Sequence, residues 1–281
     1  MKIKHFFILL FFFTACTTAP KANFKSALDY TRSTEFKPGK LVIVQGPTSD
    51  TETNINILSP RLKNYKYKIY DPQGTEIDGE IYDVVKNDVL HWKIDKVNIK
   101  NLKPHVNYTL KIIDEFRSST TVVDTRSFET LDISKPKATF AYASCMSDDY
   151  RFDEVINPMW ERLQKLNPDF VILNGDLVYV DSFEFVERQK ATELDIWFRF
   201  IDSFNRLPIY KWTHLKPIFA TWDDHDFGAN DAWDEYPMKR ESQQVFLYFF
   251  QVSKDDPRRQ QEGVYTASVF GPPGKRVQLI L

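Results

Sequence analysis

The sequence predicts two unlike halves in tandem, an all-β sandwich followed by an α/β domain built on parallel strands. Three observations carry that expectation. Short apolar runs recur between Pro, Gly, Asp and Asn punctuation as far as about residue 131. From about residue 137 the apolar pattern changes to strand, helix and strand in succession. The charge divides at the same place: residues 24–131 carry 16 basic and 15 acidic side chains, whereas residues 132–281 carry 18 and 24, a net of about −6. At 281 residues the chain exceeds one average domain, so two domains, each burying its own core, are expected.

The first sixteen residues, MKIKHFFILLFFFTAC, start with Lys2 and Lys4 and continue as an apolar run from Phe6 to Phe13. That run is too short to cross a bilayer as a stable helix and reads as a secretory signal peptide. Its end, Phe13-Thr14-Ala15-Cys16, resembles the lipobox of bacterial lipoproteins, with phenylalanine a departure at the first position. The resemblance implies acylation of Cys16 and an exported, membrane-anchored protein facing the periplasm or the cell exterior. There is no twin-arginine pair, so export of an unfolded chain and metal uptake outside the cytoplasm are expected. Cys145 is then left without a partner, and an exported protein with one unpaired thiol needs a reason to keep it.

Residues 17–35 read as a polar tether and residues 36–131 as the β-sandwich. Strands are expected at Leu41 to Val44, Asn54 to Leu58, Tyr65 to Tyr70, Val89 to Ile94, Tyr108 to Ile112 and Thr121 to Val123, with a turn at Asp71-Pro72-Gln73-Gly74. The segment from Leu102 to Tyr108, with Arg126 to Thr130 after it, resembles the closing part of a fibronectin type III or immunoglobulin-like module. No catalytic cluster stands out in this half, and His91 and His105 read as ordinary surface or packed histidines.

In residues 132–281, Ala138 to Ala143 is a strand, and Asn157-Pro158 reads as the N-cap and first residue of a helix carrying Met159, Trp160, Leu163 and Leu166. Asn167-Pro168 stops it, and Phe170 to Leu173 is a doubly buried strand. A helix over Thr192 to Phe204 presents Leu194, Trp197, Phe198 and Ile201 on one face. The strand Lys216 to Thr221, a helix near Glu241 to Phe250, and a hairpin turning at Gly271-Pro272-Pro273-Gly274 complete the order. His214 reads as structural.

The chemistry-bearing residues fall at strand ends. The first strand runs into Ser144-Cys145, the second into Asn174-Gly175-Asp176 with Tyr179 just beyond, and the third into Asp223-Asp224-His225-Asp226. In an open α/β sheet, sites form at the carboxyl ends of the strands, so these groups can converge. A thiol, carboxylates, a phenol and an imidazole together make a metal site's donor list. A cysteine-histidine hydrolase would leave the carboxylates idle. The absence of a basic stripe excludes phosphate-neutralising nucleic-acid binding.

The ordered set Ala143-Ser144-Cys145, Asn174-Gly175-Asp176-Leu177-Val178-Tyr179 and Thr221-Trp222-Asp223-Asp224-His225-Asp226 resembles the alkaline phosphatase D (PhoD-like) family of metallophosphoesterases. The match covers most of the chain from about residue 36. It implies a layered α/β/β/α domain, Fe3+ and Ca2+ in one cluster, and hydrolysis of phosphate esters for phosphate acquisition. By position, Cys145 and Tyr179 would bind iron, Asp176 would bridge iron and calcium, Asp224 would bind on the calcium side, and His225 would face the substrate phosphate. Asp223 is a further candidate ligand, and Zn2+ or Mn2+ remains open. The alternative is a non-catalytic surface-anchored binding protein with a degenerate phosphatase-like domain. A monomer is expected.

The last residues, Val277 to Leu281, read as a buried strand. In the resembled family this strand leads to an Asp-Thr-Arg segment and to later ligands, so the expectation is an incomplete domain with little activity in this form.

Overall fold

The structure is a computed structural model that describes residues 41–281 apart from 117–118, 133–134, 136, 183–190 and 251–255. The expected signal peptide, Cys16, the tether and the start of the sandwich lie outside the described residues.

Eight strands build the first half: β1 (Val42–Thr48), β2 (Thr53–Pro60), β3 (Tyr65–Tyr70), β4 (Glu76–Ile77), β5 (Gly79–Asn87), β6 (Trp92–Ile99), β7 (Asn107–Phe116) and β8 (Ser119–Glu129). They form two four-stranded antiparallel sheets, ordered β1-β2-β6-β5 and β4-β3-β7-β8. Ile43, Ile55, Ile57, Val97 and Ile99 of the first sheet meet Ile69, Tyr108, Leu110, Ile112 and Phe128 of the second in one dry core. This is a β-sandwich.

Successive side chains alternate between the faces of a strand. On the first sheet the alternate set is buried as well: Val42, Val44, Leu58, Trp92 and Ile94 belong to the core of the second half. The expectation of two separate cores therefore gives way to a sandwich core that takes in one residue of the second half, Leu215, and a core shared across the junction. The shared contact carries polar ties. Asn56 Nδ2 donates to the Tyr248 and Phe249 carbonyls, each at 3.0 Å, and Lys96 Nζ donates to the Tyr248 carbonyl at 3.0 Å.

Two strand expectations needed correction. The stretch Val89 to His91 is a turn, and the strand begins at Trp92 because Lys93, Asp95 and Lys96, all buried, continue it. Strand β5 was not anticipated; none of its residues is fully buried, and it pairs at the sheet's edge.

In the second half β9 (Phe140–Ala143), β10 (Phe170–Asn174) and β11 (Ile218–Thr221) form a parallel sheet ordered β11-β10-β9. Helices α1 (Asp153–Leu166) and α2 (Glu193–Arg206) make the crossovers; α3 (Asp224–Phe227) and α4 (Lys239–Phe249) follow β11. Helix α1 starts earlier than expected, so Pro158 lies in its second turn rather than at its first position. A proline there removes one hydrogen bond, to the Glu154 carbonyl, and Asp153 and Glu154 in the first turn favour the early start. Asn167, in the left-handed region at φ 50°, ends the helix. Helix α2 is entered through a reciprocal capping box between Thr192 and Asp195.

One face of the parallel sheet, with Val171, Leu173, Ile218 and Ala220, joins the shared core; the other, with Phe170, Ile172 and Phe219, packs on the hairpin of β12 (Ala267–Phe270) and β13 (Val277–Ile280). That hairpin corrects the expectation of a buried final strand. Leu279 and Leu281 face the sheet, but Ile280, on the uncovered outer face, and Val277, at the hairpin end of the strand, are open to solvent. No helix among the described residues is long and apolar enough to cross a membrane.

Candidate metal centre

All three parallel strands end at one place, and their exit turns are bonded to one another. The Cys145 N–H donates to the Gly175 carbonyl at 3.2 Å, the Met146 N–H to the Asp176 carbonyl at 2.7 Å, and the Gly175 N–H to the Thr221 carbonyl at 3.1 Å. Cys145 and Asp176 both stand in the left-handed region, at φ 52° and 54°, a conformation that costs a non-glycine residue on the order of 1 kcal/mol. Gly175, at φ 77°, permits the turn: a Cβ there would lie 2.6 Å from the Asp223 Cβ.

The side chains meet on Asp176. One of its oxygens accepts from the Cys145 thiol at 3.5 Å and from the Tyr179 hydroxyl at 3.3 Å. Its other oxygen, Oδ1, is buried and has no hydrogen-bond partner. Ligand atoms of Asp176, Asp224 and His225 lie within 4.8 Å of one another. The rings of Tyr179 and His225 are 4.3 Å apart between centroids.

Of the residues expected from the sequence, Asp176, Asp224 and His225 form the centre, with Cys145 and Tyr179 joined to it through Asp176. Asp223 is placed differently. Its carboxylate accepts from the Asp224 N–H at 3.0 Å and caps α3, which holds it at the helix end and leaves it solvent-exposed. Asp226, fully buried, accepts from the Leu177 N–H at 2.9 Å, the Val178 N–H at 2.7 Å and the Asp223 N–H at 3.1 Å.

Sequence reasoning missed Asp181. Its Oδ1 bonds the Nδ1 of His225 at 2.8 Å, and its Oδ2 accepts from the Asn230 N–H at 2.8 Å. The available signal was an acidic residue closing the apolar run that begins at Leu177, five residues beyond a candidate ligand. Arg199 was missed as well, because it sits inside the apolar face of α2. It donates to the Tyr179 carbonyl at 2.9 Å and to Asp148 at 2.9 and 3.0 Å.

Burial dominates the electrostatics of the site, and the neighbouring carboxylates add to it. Burial pushes the Asp176 carboxyl up; His225 and Cys145 oppose this, and Asp224 and Asp223 add to it. The Tyr179 phenol is raised by burial and then by the Asp176 charge. Total burial lifts Asp226 to about 7 against the pull of its backbone N–H donors. At His225, burial works downward, but the hydrogen bond and charge of Asp181, with Asp176 and Asp224 behind it, carry the imidazole above its ordinary value. Burial also raises the Cys145 thiol, the reverse of what activates a nucleophilic cysteine.

Asp176, Asp224 and His225 could hold a cation, with Cys145 and Tyr179 beside it. A cation would engage the orphaned Oδ1 of Asp176 and favour the ionised forms of Asp176 and Tyr179, which burial first and neighbouring carboxylates second disfavour. Carboxylate oxygens suit calcium; a phenol and a thiol beside a shared carboxylate suit a small trivalent ion.

No protein-family model matches the chain, and no curated protein matches it. Solved structures that match include a computer-redesigned β-sandwich protein, at 13% identity over 34% of this chain and 98% of that one, with a TM-score of 0.24. The sensor domain of the anti-sigma factor RsgI4 of Pseudobacteroides cellulosolvens matches at 21% identity over 35% of this chain and 96% of its own, with a TM-score of 0.23. Astrotactin-2, a vertebrate-specific, perforin-like membrane protein, matches at 9% identity over 83% of this chain and 40% of its own, with a TM-score of 0.28. Likenesses this distant carry no argument about family or function.

Proposed function

We propose that the chain is a metal-dependent phosphate ester hydrolase of the alkaline phosphatase D type, exported on a lipid anchor at Cys16 to acquire phosphate outside the cytoplasm. The observation that carries this reading is the meeting of Asp176, Asp224 and His225 at the parallel strand ends, with Cys145 and Tyr179 on the same carboxylate.

Asp176, Cys145 and Tyr179 would hold Fe3+, and Asp176 with Asp224 would hold Ca2+. When bound, such ions would polarise phosphoryl oxygens and lower the pKa of a water nucleophile. The chain's own residues supply the rest. Asp181 engages Nδ1 of His225 and leaves Nε2 as the ring nitrogen free to hydrogen-bond a substrate oxygen. A proton delivered from there to the leaving oxygen contributes on the order of 100- to 10,000-fold in rate. An acidic half can serve an anionic substrate because the positive potential comes from the ions.

Metal binding and hydrolysis test the reading together. Reconstitution with iron and calcium is expected to give a visible phenolate-to-iron band, lost in Tyr179→Phe; hydrolysis of p-nitrophenyl esters is expected to be metal-dependent, weak in this form and lost in His225→Ala. A colourless, fully iron-loaded protein would remove Tyr179 from the iron site. A chain that binds neither ion, or binds both unchanged in Asp176→Ala, overturns the reading in favour of a non-catalytic surface protein.

A further inference from the structure

Two buried polar side chains, Asp226 and Arg199, touch the strand-end loops without belonging to the donor set. Asp226 (0% exposed) accepts with one oxygen from the Leu177 and Val178 N–H groups and with the other from the Asp223 N–H. It thus binds the turn that carries Asp176 to the turn that carries Asp224 and His225. Arg199 (1% exposed) donates Nε to the Tyr179 carbonyl, Nη2 to Asp148, three residues past Cys145, and Nη1 to Asp202 on its own helix at 2.7 Å. It thus binds the loop of Tyr179 to the loop of Cys145. Buried polar groups are retained where their hydrogen bonds are complete, and each of these spans two loops that no helix or strand joins directly.

We infer that Asp226 and Arg199 are positioning residues with separate duties: Asp226 sets Asp176 against Asp224 and His225, and Arg199 sets Tyr179 against Cys145. This rests on the metal-centre reading above. In its terms, Asp226 governs the calcium side and Arg199 the iron side.

The substitutions Asp226→Asn and Arg199→Lys test it. The asparagine keeps an oxygen for Leu177 and Val178 but turns an amide N–H2 against the Asp223 N–H, so it loosens the tie between the β10 and β11 loops. The lysine offers one nitrogen where three serve Asp148, Asp202 and the Tyr179 carbonyl. Lys93→Met is the control: it breaks the buried Lys93–Asp95 pair inside the sandwich, 2.8 Å long and remote from the centre. Calcium affinity is read by calorimetry and the Tyr179 environment by the phenolate-to-iron band.

Asp226→Asn is expected to weaken calcium about 10- to 100-fold and leave the band in place. Arg199→Lys is expected to shift or bleach the band and leave calcium affinity at the parent value. Lys93→Met should lower stability and move neither. Parallel loss of both signals in the two site variants, or no change in either, overturns the assignment. Amide exchange provides a metal-free arm: in Asp226→Ala the Leu177, Val178 and Asp223 amides should lose protection together while the sandwich amides do not. If that variant fails to fold, the Asp223 amide in Asp226→Asn is read instead. A parent protein that binds no metal defeats the functional reading, whereas unchanged protection of these amides defeats this one.

Discussion

Replacing Lys96 with methionine should stabilise the protein at neutral pH and remove most of its gain in stability toward alkaline pH. Lys96 is wholly buried at the junction between the sandwich and α4. Burial, with a smaller push from Arg259, lowers its ammonium from 10.5 to about 7, and Asp83 opposes the shift. A lysine with a depressed folded-state pKa binds fewer protons folded than unfolded between pH 7 and 10.5, so stability rises with pH across that window. At 1.36 kcal/mol per unit, the rise between pH 7 and 9 amounts to about 2 kcal/mol. Methionine fills similar space and leaves no orphan, since the Tyr248 carbonyl keeps its bond from Asn56. The expected outcome is a gain of roughly 2 to 4 kcal/mol at pH 7. Urea titrations of both proteins at pH 6, 7, 8 and 9, below tyrosine ionisation, provide the measurement. Stability curves that run parallel for parent and variant would refute the reasoning, because the slope difference belongs to this one group.

Two further substitutions probe the turn and the junction. Gly175→Ala places a Cβ in the left-handed region and 2.6 Å from the Asp223 Cβ, so the β10 and β11 exits must separate; a loss of about 3 kcal/mol is expected, and a loss below about 1 kcal/mol would show that the turn gives way freely. Arg126→Met removes the ion-pair partner of buried Asp124, which keeps only its bond from the Leu41 N–H, and three bonds from the Leu41, Lys211 and Trp212 carbonyls, and should cost about 3 to 5 kcal/mol in urea unfolding; a neutral result would show that Asp124 finds solvent.

Elements whose burial follows their local pattern were readable in the sequence. Strand β3 begins and ends at Tyr65 and Tyr70 as the alternation says, and α2 carries its apolar stripe behind a capping box. Elements whose burial depends on distant partners were not. Lys93, Asp95 and Lys96 look like surface residues, yet Asp95 is satisfied by Lys93 and Tyr67, and Lys96 by a carbonyl of α4. At the centre, strand ends pointed to Asp176, Asp224 and His225, because a parallel sheet brings such ends together whatever the loops do. The duties of Asp223 and Asp181 depend on hydrogen bonds: a helix cap at Asp223, and a partner 44 positions away for Asp181. Spacing along a chain does not encode these.

The doubly buried first sheet bears on how this chain can be cut and recombined. A fragment ending near residue 131 would keep its sandwich core apart from Leu215 but expose Val42, Val44, Leu58, Trp92 and Ile94 as one apolar sheet face. Such a fragment is sticky, and large exposed patches of this kind drive association. Grafting the sandwich onto another protein, or removing it to isolate the second half, would therefore require repainting that face with polar residues. The two halves are separable in topology and inseparable in solubility.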